Sequence, residues 1–383
     1  MLIKKYFILT VVFSAIILFG VYIFQKNVIS INSCSNIQNE AQKIICWKGV
    51  IDKDLEKGDL NHTMTLVADT YNSDPDFAKN CHDFMHRVGK TAYDLFSKGT
   101  DFKIGSKSSY CAYGFYHGFM ENLVSKSGDI SLARNFCSKV DNELSKDAPG
   151  AKLACYHGIG HGWTNVHDPK FFGNERAMIY PALALCEKIT QDPDELKICA
   201  TGVFDSISIS YYNQSDGLKM NKIDPYWLCK EQKDRYKAPC YMDLSPAILW
   251  LGDYRLNTSL EYLKTVEPKY MDLVVETIAE DAVRFIMRDN LNIDDQVKYC
   301  RNLGSRRNLI CLHGLALGYL QFGAPGREEE SAIGFCDLKI LTESEKDSCY
   351  SKIMPAVKSS LSKEKYEKMC SNLPSELTKY CTN

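Results

Sequence analysis

Eight histidines occur in the 383-residue chain, and six of them fall in three short segments. These are Cys81-His82-Asp83-Phe84-Met85-His86, the stretch from Tyr113 to Glu121 around His117, and Cys155-Tyr156-His157-Gly158-Ile159-Gly160-His161 with His167 beyond it. His82 and His86, His117 and Glu121, and His157 and His161 are each four residues apart, which on a helix puts both members of a pair on one face. Counting from a preceding cysteine gives a second register. Cys111 plus six is His117, Cys155 plus six is His161, and Cys199 plus six is Asp205, each three residues after a glycine (Gly114, Gly158, Gly202). Neutral imidazoles with a carboxylate are the donor set of a zinc, iron or manganese site that keeps a position open for water. His82, His86, His117, His161 and Asp205 are therefore the candidate ligands. Such a metal generates a hydroxide nucleophile at neutral pH or, as iron, handles dioxygen; Glu121 and Asp83 are the candidate proton carriers. The glycines beside the ligands fit close helix packing, because a Cβ there would hold the backbones apart.

The same residues admit a structural explanation. His157 and His313 share a Cys-x-His-Gly context that suggests a polar core position bonding a neighbouring helix, and both are read as structural. His117, His161 and Asp205 could equally form a buried hydrogen-bond network. The spacing of His82 and His86 matches the zinc-protease pattern HExxH, but Asp83 stands where its glutamate would be. His62 reads as an exposed loop residue. No glycine-rich phosphate loop, no GxSxG and no Cys-x-x-Cys occurs, so phosphate-loop, serine-hydrolase and disulfide-exchange chemistry have no footing.

The elements that must position these residues are written in the cysteines. All sixteen fall into sequential pairs: Cys34 and Cys46, Cys81 and Cys111, Cys137 and Cys155, Cys186 and Cys199, Cys229 and Cys240, Cys300 and Cys311, Cys336 and Cys349, Cys370 and Cys381. Six of the eight have separations of 11 to 13 residues. Helix stop and start signals lie between pair members. Asp192-Pro193-Asp194-Glu195 offers an N-cap, a proline at the first helical position and an acidic third residue, and Thr342-Glu343-Ser344-Glu345 is a capping box. Gly304-Ser305 reads as a C-terminal glycine followed by a new N-cap, and Pro149-Gly150 as a break. Each pair is thus predicted to staple an αα-hairpin. The 60-residue gap between Cys240 and Cys300 leaves room for a cysteine-free hairpin, with joints at Pro225, Pro239, Pro246 and Pro268. The expected fold is all-α: a disulfide-stapled array of helical hairpins, either an α-solenoid or an α/α ring. Tetratricopeptide and ankyrin signatures are missing from it.

Composition sets the address. The sequence is 45% hydrophobic and 25% charged, which excludes wholesale disorder, and 46 basic against 48 acidic residues argue against a nucleic-acid partner. Lys4 and Lys5 precede an apolar run from Tyr6 to Phe24, 19 residues long, enough as a helix to cross a bilayer. The expected organisation is a cytoplasmic N-terminus (1–5), a transmembrane signal anchor (6–24), a juxtamembrane linker (25–33) and an extracytoplasmic repeat domain (34–383), the latter divided into a histidine-rich half (34–215) and C-terminal repeats (216–383). Sixteen cysteines argue independently for an oxidising compartment, periplasm or cell surface. Two functions follow. One is a membrane-tethered metal-dependent hydrolase or oxidase. The other is a non-catalytic scaffold that binds an envelope protein or peptide, with its histidines serving structure.

Overall fold

The computed structural model describes residues 31–383 apart from 101, 149, 165–168, 325–326, 362, 376 and 382–383. The apolar run at 6–24 lies outside the described residues, as do Pro149 and His167. Among the described residues no helix is long and apolar enough to cross a membrane, and no strand occurs.

The architecture is two layers of helices. The inner row consists of α4 (Pro75–Ser97), α5 (Gly114–Ser127), α7 (Ala151–Thr164), α9 (Pro193–Asn213), α11 (Asp234–Asp243), α14 (Met271–Arg288), α16 (Ser305–Phe322) and α18 (Glu343–Ser360). Each packs against the next in that order. Outside them lie α3 (Leu60–Ser73), α6 (Ile130–Leu144), α8 (Glu175–Ile189), α10 (Trp227–Lys230), α13 (Leu256–Leu260), α15 (Ile293–Arg301), α17 (Glu328–Cys336) and α19 (Lys363–Ser371). Two short helices, α1 (Ile31–Cys34) and α12 (Ser245–Leu251), and the longer α2 (Glu40–Leu55) complete the set. One outer helix followed by one inner helix is the repeating unit.

All eight disulfides join sequential cysteines, with Cα atoms 5.3 to 6.1 Å apart. In the standard unit the first cysteine ends the outer helix and the second enters the inner one: Cys186 lies in the last turn of α8, Cys199 in the second turn of α9. The caps agree with the sequence. Asp192 accepts from the backbone N–H groups of Asp194 and Glu195, and Thr342 and Glu345 form the reciprocal box. The hairpin ending in α14 carries no cysteine, as the 60-residue gap predicts.

Cys81 and Cys111 depart from the standard unit, because they link two inner helices. Cys81 lies inside α4, while Cys111, Ala112 and Tyr113 have φ of 59°, 51° and 60°, a left-handed turn of three non-glycine residues that feeds α5. Such residues cost free energy singly and are held here by the staple and by the packing around it.

Three smaller expectations need correction. Pro239 lies inside α11 rather than at a joint, where the flanking Tyr236, Cys240 and Tyr241 are buried and hold the short helix despite the missing N–H. Gly304 itself, not Ser305, is the N-cap of α16. His62 lies in the first turn of α3, not in a loop; its side chain is exposed, and its Nδ1 sits 2.8 Å from Asp54 Oδ2.

Successive inner helices approach closely at glycines. A Cβ on Gly118 would stand 2.0 Å from the His86 carbonyl oxygen, and one on Gly202 would stand 1.9 Å from that of His157. No side chain fits at that distance, so α4 with α5, and α7 with α9, lie backbone against backbone next to the histidines. The array also returns on itself. The Tyr71 hydroxyl of α3 donates to Glu328 Oε1 of α17 at 2.5 Å, across 257 residues of sequence.

Candidate metal centre

Four adjacent inner helices supply the site. His82 and His86 come from α4, His117 and Glu121 from α5, His157 and His161 from α7, and Asp205 from α9. The i, i+4 spacing and the glycine contacts bring the rings together. His82 and His86 ring centroids are 4.8 Å apart, His82 and His117 5.0 Å, and His86 and His117 5.3 Å. His117 stacks on His157 at 4.7 Å and on His161 at 5.6 Å, and His86 lies 6.1 Å from His161. One ligating nitrogen from each of His82, His86 and His117 falls within 4.8 Å of the others, so this triad is able to hold a metal ion. Of the five sequence-derived ligands, His82, His86 and His117 form this group; His161 stacks beside His117, and Asp205 lies 3.8 Å from His161 Nε2.

Hydrogen bonds select the tautomers. His82 Nδ1 is 3.0 Å from the Cys111 carbonyl oxygen, which can only accept, so Nδ1 carries the proton and Nε2 presents a lone pair. That lone pair faces His86 Nε2 at 3.1 Å. A proton on His86 can bridge the two nitrogens; a shared divalent ion does so with both imidazoles in the ligating tautomer. His117 is 8% exposed, and its Nδ1 has no hydrogen-bond partner. A buried polar atom without a partner is costly as plain core.

Electrostatics set the same protonation states. Burial holds His86 and His117 well below the ordinary histidine range, and the neighbouring imidazoles add to the effect. Burial lowers His82 and His161 too, although the Asp205 carboxylate pulls both the other way. Asp205 is opposed by burial, yet the facing His157, His161 and His82 outweigh it and keep the carboxyl below its usual range. At neutral pH the donors are neutral imidazoles and an ionised carboxylate, which is the form that binds a cation.

His157, read from the sequence as structural, stands inside the cluster with Nε2 3.5 Å from Asp205 Oδ2. Its Nδ1 meets Thr201 Oγ1 at 2.9 Å, so the bond to a neighbouring helix foreseen for it is also present. His313, in the same Cys-x-His-Gly context, bonds Ser348 Oγ at 2.9 Å, far along the array. The two candidate proton carriers differ. Glu121 is half-buried, its backbone against Gly162 and its charge acting on His161, whereas Asp83 is exposed beside His82.

Sequence reasoning missed a second polar group on the inner row. Asp243 on α11 and Glu280 and Asp281 on α14 are each forced upward by burial, Glu280 to about 8 and Asp281 to about 6, with the Asp205 charge adding to the shift at Asp243 and Asp281. Arg284 on α14 acts on His82 and on Tyr212 of α9. These groups occupy no common offset from a cysteine, so the register that located His117, His161 and Asp205 does not reach them.

No known protein family, curated protein or solved structure matches this chain. The site therefore rests on its own geometry.

Proposed function

We propose that the His82, His86 and His117 triad holds a divalent transition metal and that the protein is a membrane-anchored extracytoplasmic metalloprotein, acting as a metal-dependent hydrolase or oxidase. One observation carries the reading: a lone pair fixed on His82 Nε2 by the Cys111 carbonyl meets a second imidazole nitrogen at 3.1 Å beside the unpartnered His117 Nδ1. Three neutral imidazoles are a donor set that zinc, iron and manganese each accept. Glu121, one turn beyond His117, is the proposed proton carrier, with Asp83 as a solvent-side relay. Eight disulfides support an oxidising compartment, and the 6–24 run is the proposed attachment to the membrane.

A second reading is favoured by the hydrogen bonds of His157 to Thr201 and of His313 to Ser348, which tie one inner helix to the next without any ion. On this view the array is a scaffold for an envelope protein or peptide. Metal analysis separates the two. Residues 30–383 secreted through an oxidising compartment are expected to carry at least one transition-metal ion per chain by elemental mass spectrometry, and His82→Ala/His86→Ala to carry one fewer with helicity unchanged by circular dichroism. A wild-type protein that stays metal-free after incubation with zinc, iron and manganese leaves the scaffold.

A further inference from the structure

Of the eight disulfides, one ties an inner helix to the entry of the next, and it borders the histidine triad. Cys81 immediately precedes His82 in α4, and Cys111 owns the carbonyl oxygen that accepts from His82 Nδ1 at 3.0 Å. The S–S bond and the hydrogen bond therefore close one small loop between the same two segments. What aims that carbonyl is the left-handed turn of Cys111, Ala112 and Tyr113, with φ of 59°, 51° and 60°. Non-glycine residues avoid that region, so three in a row persist only where the surroundings hold them. Here they are held from two sides. The disulfide fixes Cys111 to α4, and the Tyr113 hydroxyl lies against Gly150, one residue before α7, 2.4 Å from where a Cβ on that glycine would stand. The turn is also seated directly on the histidine: a Cβ on Gly114 would stand 2.5 Å from the His82 carbonyl oxygen and 3.2 Å from His82 Nδ1.

We infer that the Cys81–Cys111 disulfide is a positioning element of the metal centre: by holding the 111–113 turn on α4 it keeps His82 Nε2 turned toward His86 Nε2, 3.1 Å away, and so sets the affinity of the triad for its ion. This deepens the proposed function and rests on it. An imidazole whose far nitrogen donates to a fixed acceptor is confined to one tautomer and one orientation, and loss of such an acceptor typically costs about 10–100-fold in metal affinity. Without the S–S bond the turn is free to leave the left-handed region, and the acceptor leaves with it. A chain lacking only this bond is then metal-poor although its helices are formed. The rival is that the bond serves stability alone, the role expected of the Cys137–Cys155 staple on neighbouring α7, whose second cysteine stands two residues before His157.

The test uses cobalt(II) as the probe, because its visible absorption reports both occupancy and coordination geometry, on the full-length oxidised chain in detergent. Relative to wild type, Cys81→Ala/Cys111→Ala is expected to bind cobalt about 10–100-fold more weakly and with shifted visible bands, whereas Cys137→Ala/Cys155→Ala keeps the wild-type bands and stays within about twofold in affinity. Gly114→Ala, which leaves every disulfide in place but drives a methyl into His82, is expected to weaken binding and shift the bands as the first variant does. Equal losses in the two cysteine variants make the bond a general stabiliser and overturn the inference, as does an unchanged affinity in Cys81→Ala/Cys111→Ala. A wild type that takes up no cobalt, zinc, iron or manganese removes the metal reading itself, a failure distinct from both of these. If Cys81→Ala/Cys111→Ala does not fold by circular dichroism, Gly114→Ala decides, and an unchanged affinity there overturns the inference.

Discussion

His82 and His157 are oriented by chemically different partners, the Cys111 carbonyl in the turn before α5 and the Thr201 hydroxyl on α9, and their Nε2 atoms meet His86 Nε2 at 3.1 Å and Asp205 Oδ2 at 3.5 Å. The four-residue spacing of His157 and His161 already placed both on one helix face; what hid the place of His157 in the cluster was its shared context with His313, which bonds Ser348 elsewhere in the array. The Cys111 carbonyl could not be found in the sequence at all, since nothing in Cys111-Ala112-Tyr113 announces three left-handed residues. The buried carboxyls of α14 were equally hidden, and they give a pH dependence. Glu280 and Asp281 keep protons up to about 8 and about 6, whereas in the unfolded chain they lose them near the ordinary carboxyl value of about 4. The folded protein then holds more protons than the unfolded chain between those limits, so their contribution to stability falls as pH rises through about 4 to 8. Glu280→Gln is expected to remove most of that slope, stabilising the protein by about 1–2 kcal/mol at pH 8 and not at pH 4, as read from denaturant unfolding at both. A variant that shifts both curves equally would show that Glu280 is not titrating in this window.

At the scale of the element, the helices were legible because their ends are encoded locally. Asp192, Pro193 and the Thr342 box each specify a boundary through a few adjacent atoms, and the cysteine intervals specify the hairpin between. Pro239 misled because a proline ordinarily ends a helix, while here the surrounding burial holds one around it. The glycine contacts were foreseen in kind, and the structure supplies their tightness. Adding one methyl at Gly118, 2.0 Å from the His86 carbonyl oxygen, forces α4 and α5 apart. Gly118→Ala is expected to cost on the order of 1–3 kcal/mol in chemical unfolding and to weaken metal binding by separating His86 from His117, whereas Gly49→Ala, with open space around it, is expected to leave both unchanged. Equal behaviour of the two variants would remove the close approach as the feature that positions the site.

At the scale of the whole molecule, the return of the array on itself was beyond local reading, because the Tyr71 to Glu328 contact joins residues 257 apart with no motif at either end. Tyr71→Phe is expected to lose about 1 kcal/mol and to raise amide exchange in α3 and α17 together, while the histidine helices stay protected. Exchange rising in α3 alone would mean that the two ends are stabilised separately. The order of the staples has another consequence. Sixteen thiols can be paired in about two million ways, yet every native bond joins a cysteine to its immediate successor in the chain. A chain that emerges N-terminus first and oxidises as it emerges meets each correct partner before any later competitor exists, so vectorial synthesis alone can proofread the whole disulfide pattern.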